Sequence, residues 1–191
     1  KEFVNHHEDN VCLVRDILFY KDETFAYVLT NRTIFLFDLK TGALMEKVAY
    51  ESTVSEIAYN EKSDHLLVIY EKQLNILNAR TADYIKSITL ALQSSVSSDL
   101  DMEISTESGE IYIGRSTNKI IVIDSDNYNV IKLGELDYQG LDSSKSSRLM
   151  SSPDGKYLVY STLDSTQIYN TETRNKITSF KSPYGASGGY Y

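Results

Sequence analysis

A short β-forming run that closes on Asp or Asn occurs four times along the chain: Thr33-Ile-Phe-Leu-Phe-Asp38, Gln73-Leu-Asn-Ile-Leu-Asn78, Lys119-Ile-Ile-Val-Ile-Asp124 and Ser165-Thr-Gln-Ile-Tyr-Asn170. The closing residues stand 40, 46 and 46 positions apart. Turn-forming residues follow each: Lys40-Thr41-Gly42, Thr81-Ala82-Asp83, Asp126-Asn127, and Glu172-Thr173 before Asn175. A period of this length means one supersecondary unit copied along the chain, and such a unit buries its apolar face only by stacking on its neighbours.

The surroundings of each run repeat as well. A second strand precedes it (Phe25 to Thr30, His65 to Tyr70, Glu110 to Gly114, Tyr157 to Thr162), and a polar turn precedes that strand. A further strand opens each unit (Val14 to Tyr20, Val54 to Tyr59, Leu100 to Ser105, Arg148 to Ser152), and another follows the Asp/Asn turn (Leu44 to Tyr50, Tyr84 to Leu90, Val130 to Leu136, Lys176 to Phe180). Four strands per unit, four times, predict an all-β chain. Runs such as Leu66-Leu-Val-Ile-Tyr70 are apolar without alternation, as expected of strands covered on both faces. Ser52 to Ala58 also fits helical spacing, with Val54, Ile57 and Ala58 on one face; the equivalent segments of the other units read as strands.

Met150-Ser-Ser-Pro-Asp-Gly-Lys-Tyr-Leu-Val-Tyr-Ser-Thr-Leu-Asp164, followed by Gln167-Ile-Tyr-Asn170 and Thr173, resembles a WD repeat, and His7-Glu-Asp-Asn-Val11 resembles the histidine that opens one. The resemblance spans roughly residues 7 to 180. Tryptophan is absent, so the Trp-Asp pair stands as Phe37-Asp38, Leu77-Asn78, Ile123-Asp124 and Tyr169-Asn170. Phe37-Asp-Leu-Lys-Thr-Gly42 is also similar to the repeats of quinoprotein-like propellers. The resemblance implies a β-propeller of about four four-stranded antiparallel blades, near 11–50, 54–90, 99–136 and 147–180, in a partial WD-repeat-like domain over residues 1–180. Residues 181–191, rich in Gly, Ser and Tyr, read as a flexible tail or linker. Rings of this family usually hold about seven blades, so four fill part of one. The remainder is expected from further parts of the same polypeptide, or from a partner chain.

Composition narrows the function. A formal charge of −8, from 19 Lys+Arg against 27 Asp+Glu, disfavours a surface built to neutralise phosphates, so direct nucleic-acid binding is not expected. No apolar run has the length of a membrane helix, and no membrane insertion is expected. A lone cysteine, Cys12, forms no internal disulfide and leans toward a reducing compartment, cytoplasmic or nuclear. The sequence begins at Lys1, so a secretion signal is not legible.

Chemistry-bearing motifs are sparse. His6, His7 and His65 with one cysteine do not supply zinc-ligand spacing. Asp99, Asp101 and Glu103 alternate along one strand and would place three carboxylates on a face; an edge strand guarded against mispairing is favoured over a divalent-cation site. No phosphate loop or nucleophile elbow is present, and no catalytic, metal or cofactor residue is assigned. Fifteen tyrosines include many inside strands, where core packing explains them better than binding.

The expected function is a non-catalytic protein–protein interaction scaffold, a WD-repeat subunit of a larger intracellular complex. Its partner-binding residues are expected in the turns between second and third strands: Asn31, Arg32, Glu71, Lys72, Thr117, Asn118, Asp164 and Ser165. The alternative is a quinoprotein-like or hydrolytic propeller enzyme with its centre in other blades.

Overall fold

The computed structural model describes residues 13–20, 22–90, 100–115, 120–132, 147–162 and 165–181. Among the described residues, sixteen strands form four separate four-stranded antiparallel sheets. Blade 1 holds β1 (Asp16–Phe19), β2 (Phe25–Leu29), β3 (Thr33–Asp38) and β4 (Leu44–Ala49). Blade 2 holds β5 (Val54–Asn60), β6 (His65–Tyr70), β7 (Gln73–Asn78) and β8 (Tyr84–Thr89). Blade 3 holds β9 (Leu100–Ile104), β10 (Ile111–Arg115), β11 (Ile120–Ile123) and β12 (Val130–Lys132). Blade 4 holds β13 (Ser147–Ser151), β14 (Tyr157–Thr162), β15 (Ser165–Asn170) and β16 (Lys176–Lys181). The segment with helical spacing, 52–58, is extended: its apolar residues belong to β5, whose Ile57 pairs with Val68 of β6.

Each sheet is a meander in sequence order. First strands of successive blades touch, β1 against β5, β5 against β9 and β9 against β13, so they line a common axis while the fourth strands face outward. Three seams form the core. Tyr27, Leu29, Ile34 and Leu36 on the back of blade 1 meet Val54, Ile57, Leu66, Val68 and Leu77 on the front of blade 2. Leu67, Ile69, Leu74 and Ile76 on the back of blade 2 meet Met102, Ile111, Ile113 and Ile123 of blade 3. Tyr112, Ile120 and Val122 meet Leu149, Leu158, Tyr160 and Tyr169 of blade 4.

This arrangement explains the unalternating run. Leu66, Leu67, Val68 and Ile69 are all fully buried because alternate residues enter different seams. The outer strands β4, β8 and β16 are mostly exposed. The closing Asp or Asn of each repeat owes its place to the turn that follows. The backbone N–H of Thr41, Thr81, Asn127 and Thr173 donates to the side-chain oxygen of Asp38, Asn78, Asp124 and Asn170 at 2.7, 3.1, 3.3 and 2.7 Å. A short side-chain acceptor at that place folds the chain back into the fourth strand.

Candidate functional site

The turns in which partner-binding residues are expected are described in full for two blades. Asn31 and Arg32 form the β2–β3 turn, Glu71 and Lys72 the β6–β7 turn, and all four are exposed. Their backbones are held: the carbonyls of Asn31, Arg32 and Lys72 accept from Val54, Tyr50 and Leu90 N–H at 2.9, 2.8 and 2.7 Å. Glu71 sits at φ 54°, in the left-handed region. The Ser52 hydroxyl donates to Glu71 at 3.2 Å, tying the connection between blades 1 and 2 to this same rim. Ser165 is half-buried at the start of β15; Thr117, Asn118 and Asp164 lie outside the described residues, as do His6, His7, Cys12, Asp99 and 182–191. The result is a stiff edge that presents charged and amide side chains to solvent.

The opposite rim carries polar latches that the sequence did not reveal. At the first seam, the hydroxyls of Tyr20 and Tyr59 donate to Asp64 at 2.5 and 2.9 Å, and Arg80 Nε donates to the Tyr20 oxygen at 3.0 Å. At the second, the Tyr128 hydroxyl is in hydrogen-bond contact with His65 Nδ1 and lies 3.3 Å from Ser63 Oγ, while Lys62 Nζ donates to the Ser108 carbonyl at 2.9 Å. Burial lowers the His65 pKa and favours its neutral form. At the third, Arg174 pairs with Glu110 at 3.1 Å, and the Tyr112 hydroxyl donates to the same carboxylate at 2.7 Å. Between these turns of blades 3 and 4 opens a cleft of about 480 Å³, lined by Glu107, Glu110, Asp154, Lys156, Glu172 and Arg174 among others.

Ala82, Tyr128 and Arg174 share one turn position, each at positive φ (57, 60 and 58°), and Gly42 occupies it in blade 1. The left-handed backbone there aims the side chain back at the preceding blade. One signal was legible: these residues stand four positions after the closing Asp or Asn.

Along the axis, side chains of one first strand satisfy the open edge of the next. Arg15 donates to the Val54 carbonyl at 2.5 Å. Asp101 accepts from Leu149 N–H at 2.5 Å, and Glu103 accepts from the N–H and hydroxyl of Ser151 at 3.0 and 2.5 Å. Asp101 and Glu103 therefore satisfy donors along the inner edge of the neighbouring strand β13. No group of three metal-capable side chains occurs among the described residues. Burial, with Asp101 and Asp16 nearby, pushes the Glu56 carboxyl up to about 7.

Four meandering sheets joined by apolar seams, with their first strands about one axis, define the class: this is a partial β-propeller. Solved structures agree. The chain superposes on Kuenenia stuttgartiensis hydrazine synthase with a TM-score of 0.71 at 16% identity, covering 95% of this chain and 52% of that one. Against the dihydro-heme d1 dehydrogenase NirN in complex with DHE the TM-score is 0.71 at 16% identity, over 91% of this chain and 38% of that one. Against U3-55K it is 0.70 at 11% identity, over 93% and 53%. The chain thus spans about half the length of such structures or less. Identities this low establish the fold alone. No protein-family model matches the chain, and no curated protein matches it in sequence.

Proposed function

We propose that this chain is part of a non-catalytic scaffold that binds other proteins within a larger intracellular assembly, through the rim formed by the β2–β3 and β6–β7 turns. The observation that carries this reading is the division of labour at that rim. Backbone carbonyls of Asn31, Arg32 and Lys72 are spent on internal hydrogen bonds, while their side chains stand exposed. A surface already ordered loses little entropy on binding, which suits a docking platform. The net charge of −8 favours protein over nucleic acid as partner. By the repeat pattern of the sequence, Thr117, Asn118, Asp164 and Ser165 are expected in the corresponding turns of blades 3 and 4.

The test is affinity purification of the natural full-length protein with Arg32→Glu and Lys72→Glu together, beside Lys156→Glu on the opposite rim. Stoichiometric partners lost from the double variant and kept by the control support the proposal. Partners unaffected by either change defeat it.

One observation favours a second reading, a propeller enzyme. Glu56 lies on an axial strand with a carboxyl raised to about 7, a value suited to general acid–base work near neutrality. A cofactor or metal requirement in the full-length protein, lost with Glu56→Gln, would favour it.

A further inference from the structure

The repeat brings two equivalent turn positions together at every seam. Tyr20, Asn60 and Ser105 each close the loop after the first strand of their blade by pairing with the residue five places on, and two places after them stand Asp22, Lys62 and Glu107. In the following blade, the residues two places after the closing Asn78, Asp124 and Asn170 are Arg80, Asp126 and Glu172. At the first seam the two positions hold opposite charges: hydrogen bonds from Thr24, and then the charge of Arg80, hold the Asp22 carboxyl below its usual range. At the second, Lys62 pairs with Asp126 at 3.4 Å. At the third, both positions are acidic, Glu107 and Glu172.

The cleft of about 480 Å³ opens at this third seam, and both glutamates line it. Its walls hold four carboxylates, those of Glu107, Glu110, Asp154 and Glu172, against two cations, Lys156 and Arg174. Each cation already has a carboxylate: Arg174 pairs with Glu110 at 3.1 Å and Lys156 with Asp154 at 3.2 Å. Two negative charges are left over, and among the described residues Glu107 and Glu172 have no ion-pair partner. The walls are also fixed in place. Thr171 donates from its N–H to the Lys156 carbonyl at 3.0 Å and from its hydroxyl to the Gly155 carbonyl at 2.7 Å, and the Thr106 hydroxyl donates to the Pro153 carbonyl at 3.1 Å. Like charges at a position that elsewhere carries a complementary pair break a rule the rest of the fold obeys, and folds break such rules where they bind something.

We propose that this cleft receives a Lys or Arg side chain of a partner protein, which supplies between Glu107 and Glu172 the positive charge that Arg80 and Lys62 supply at the other two seams. The repeat itself points to this occupant, since at both other seams the cation is a basic side chain carried on a peptide backbone. A metal ion is disfavoured, because no three metal-capable side chains converge among the described residues. The site lies on the rim opposite the β2–β3 and β6–β7 turns, and the inference stands whether or not those turns bind a partner.

The experiment uses the natural full-length protein and two fluorescein-labelled, end-blocked peptides of glycine and serine, one with arginine and lysine at its centre and one with glutamine at both places. Binding is read by fluorescence anisotropy at low ionic strength, where surface charges are least screened. The basic peptide should bind more tightly than the glutamine peptide. Glu107→Gln with Glu172→Gln should weaken it roughly tenfold, while Glu46→Gln with Glu51→Gln, an equal loss of charge at the outer edge of blade 1, should leave it within about twofold. Glu107→Lys, which restores opposite charges at the third seam, should abolish binding and raise the urea midpoint together, whereas a variant that merely misfolds would lower that midpoint. Equal binding of the two peptides, or equal weakening by the two double variants, would overturn the proposal. Displacement of the basic peptide by spermine at concentrations below the peptide's own dissociation constant would assign the cleft to free amines and overturn the protein partner.

Discussion

The guanidinium of Arg174 stands 3.1 Å from the carboxylate of Glu110 across the seam between blades 3 and 4, projected from a backbone at φ 58°. A left-handed residue with a side chain costs about 1 kcal/mol relative to glycine, and the contact it makes is a partly buried, charge-assisted hydrogen bond worth about 1–3 kcal/mol. The latch therefore repays the strained turn from which it projects.

Arg174→Ala should lower stability by about 1–2 kcal/mol, since it keeps the backbone strain and loses the contact. Arg174→Gly should cost about 1 kcal/mol less than the alanine variant because glycine relieves the strain. Urea midpoints of the two variants measure the difference; an alanine variant as stable as the glycine variant would refute it.

Gly155 and Gly42 separate close approach from backbone freedom. Both have positive φ, 64 and 69°, but a Cβ on Gly155 would lie 2.6 Å from the Glu107 Cβ and 2.9 Å from Ser105 Oγ, whereas Gly42 faces open space. Gly42→Ala should cost about 1 kcal/mol from conformation alone. Gly155→Ala should cost about 2–4 kcal/mol, because the seam between blades 3 and 4 must shift as well. Thermal unfolding of the two variants tests the ranking.

Two buried tyrosines should respond oppositely to loss of the hydroxyl. Tyr27 is fully buried and its hydroxyl has no hydrogen-bond partner among the described residues, so Tyr27→Phe should raise stability by about 1 kcal/mol. The Tyr112 hydroxyl donates to Glu110, so Tyr112→Phe should lower it by a similar amount, about 1 kcal/mol. Denaturant titration of both variants would decide it, and a Tyr27→Phe protein less stable than its parent would contradict the first half.

Glu56 sets a pH dependence. Its carboxyl rises from an ordinary 4.5 to about 7 in the folded protein, through burial first and the neighbouring carboxylates second. Between those values the folded state holds a proton that the unfolded chain has released. Its stabilising contribution is complete below about 4.5 and is lost as the pH climbs to about 7. Asp101, raised mainly by burial, acts in the same direction. Unfolding midpoints should fall across this window, and Glu56→Gln should flatten the fall; an unchanged slope would show that Glu56 does not carry it.

Much of the architecture was legible because it is periodic. Leu66 to Ile69 announces a strand covered on both faces, and Asp38, Asn78, Asp124 and Asn170 mark turns whose geometry needs a short side-chain acceptor. Such features depend on neighbours a few residues away, so local physics writes them into sequence. The rim residues Asn31, Arg32, Glu71 and Lys72 were legible for the same reason, as turn positions between strands.

The seams were not legible. Nothing near Arg174 in sequence points to Glu110, 64 positions away, or near Tyr128 to His65, 63 positions away. Asp101 and Glu103 read as a face of carboxylates, and only the packing of β9 beside β13 showed them capping Leu149 and Ser151. The sequence by itself determined the number of strands, their order and their apolar faces, because these follow from short-range alternation and turn chemistry. Which polar side chains lock one blade to the next was decided only by tertiary structure, since those contacts exist only once separate repeats are stacked about one axis.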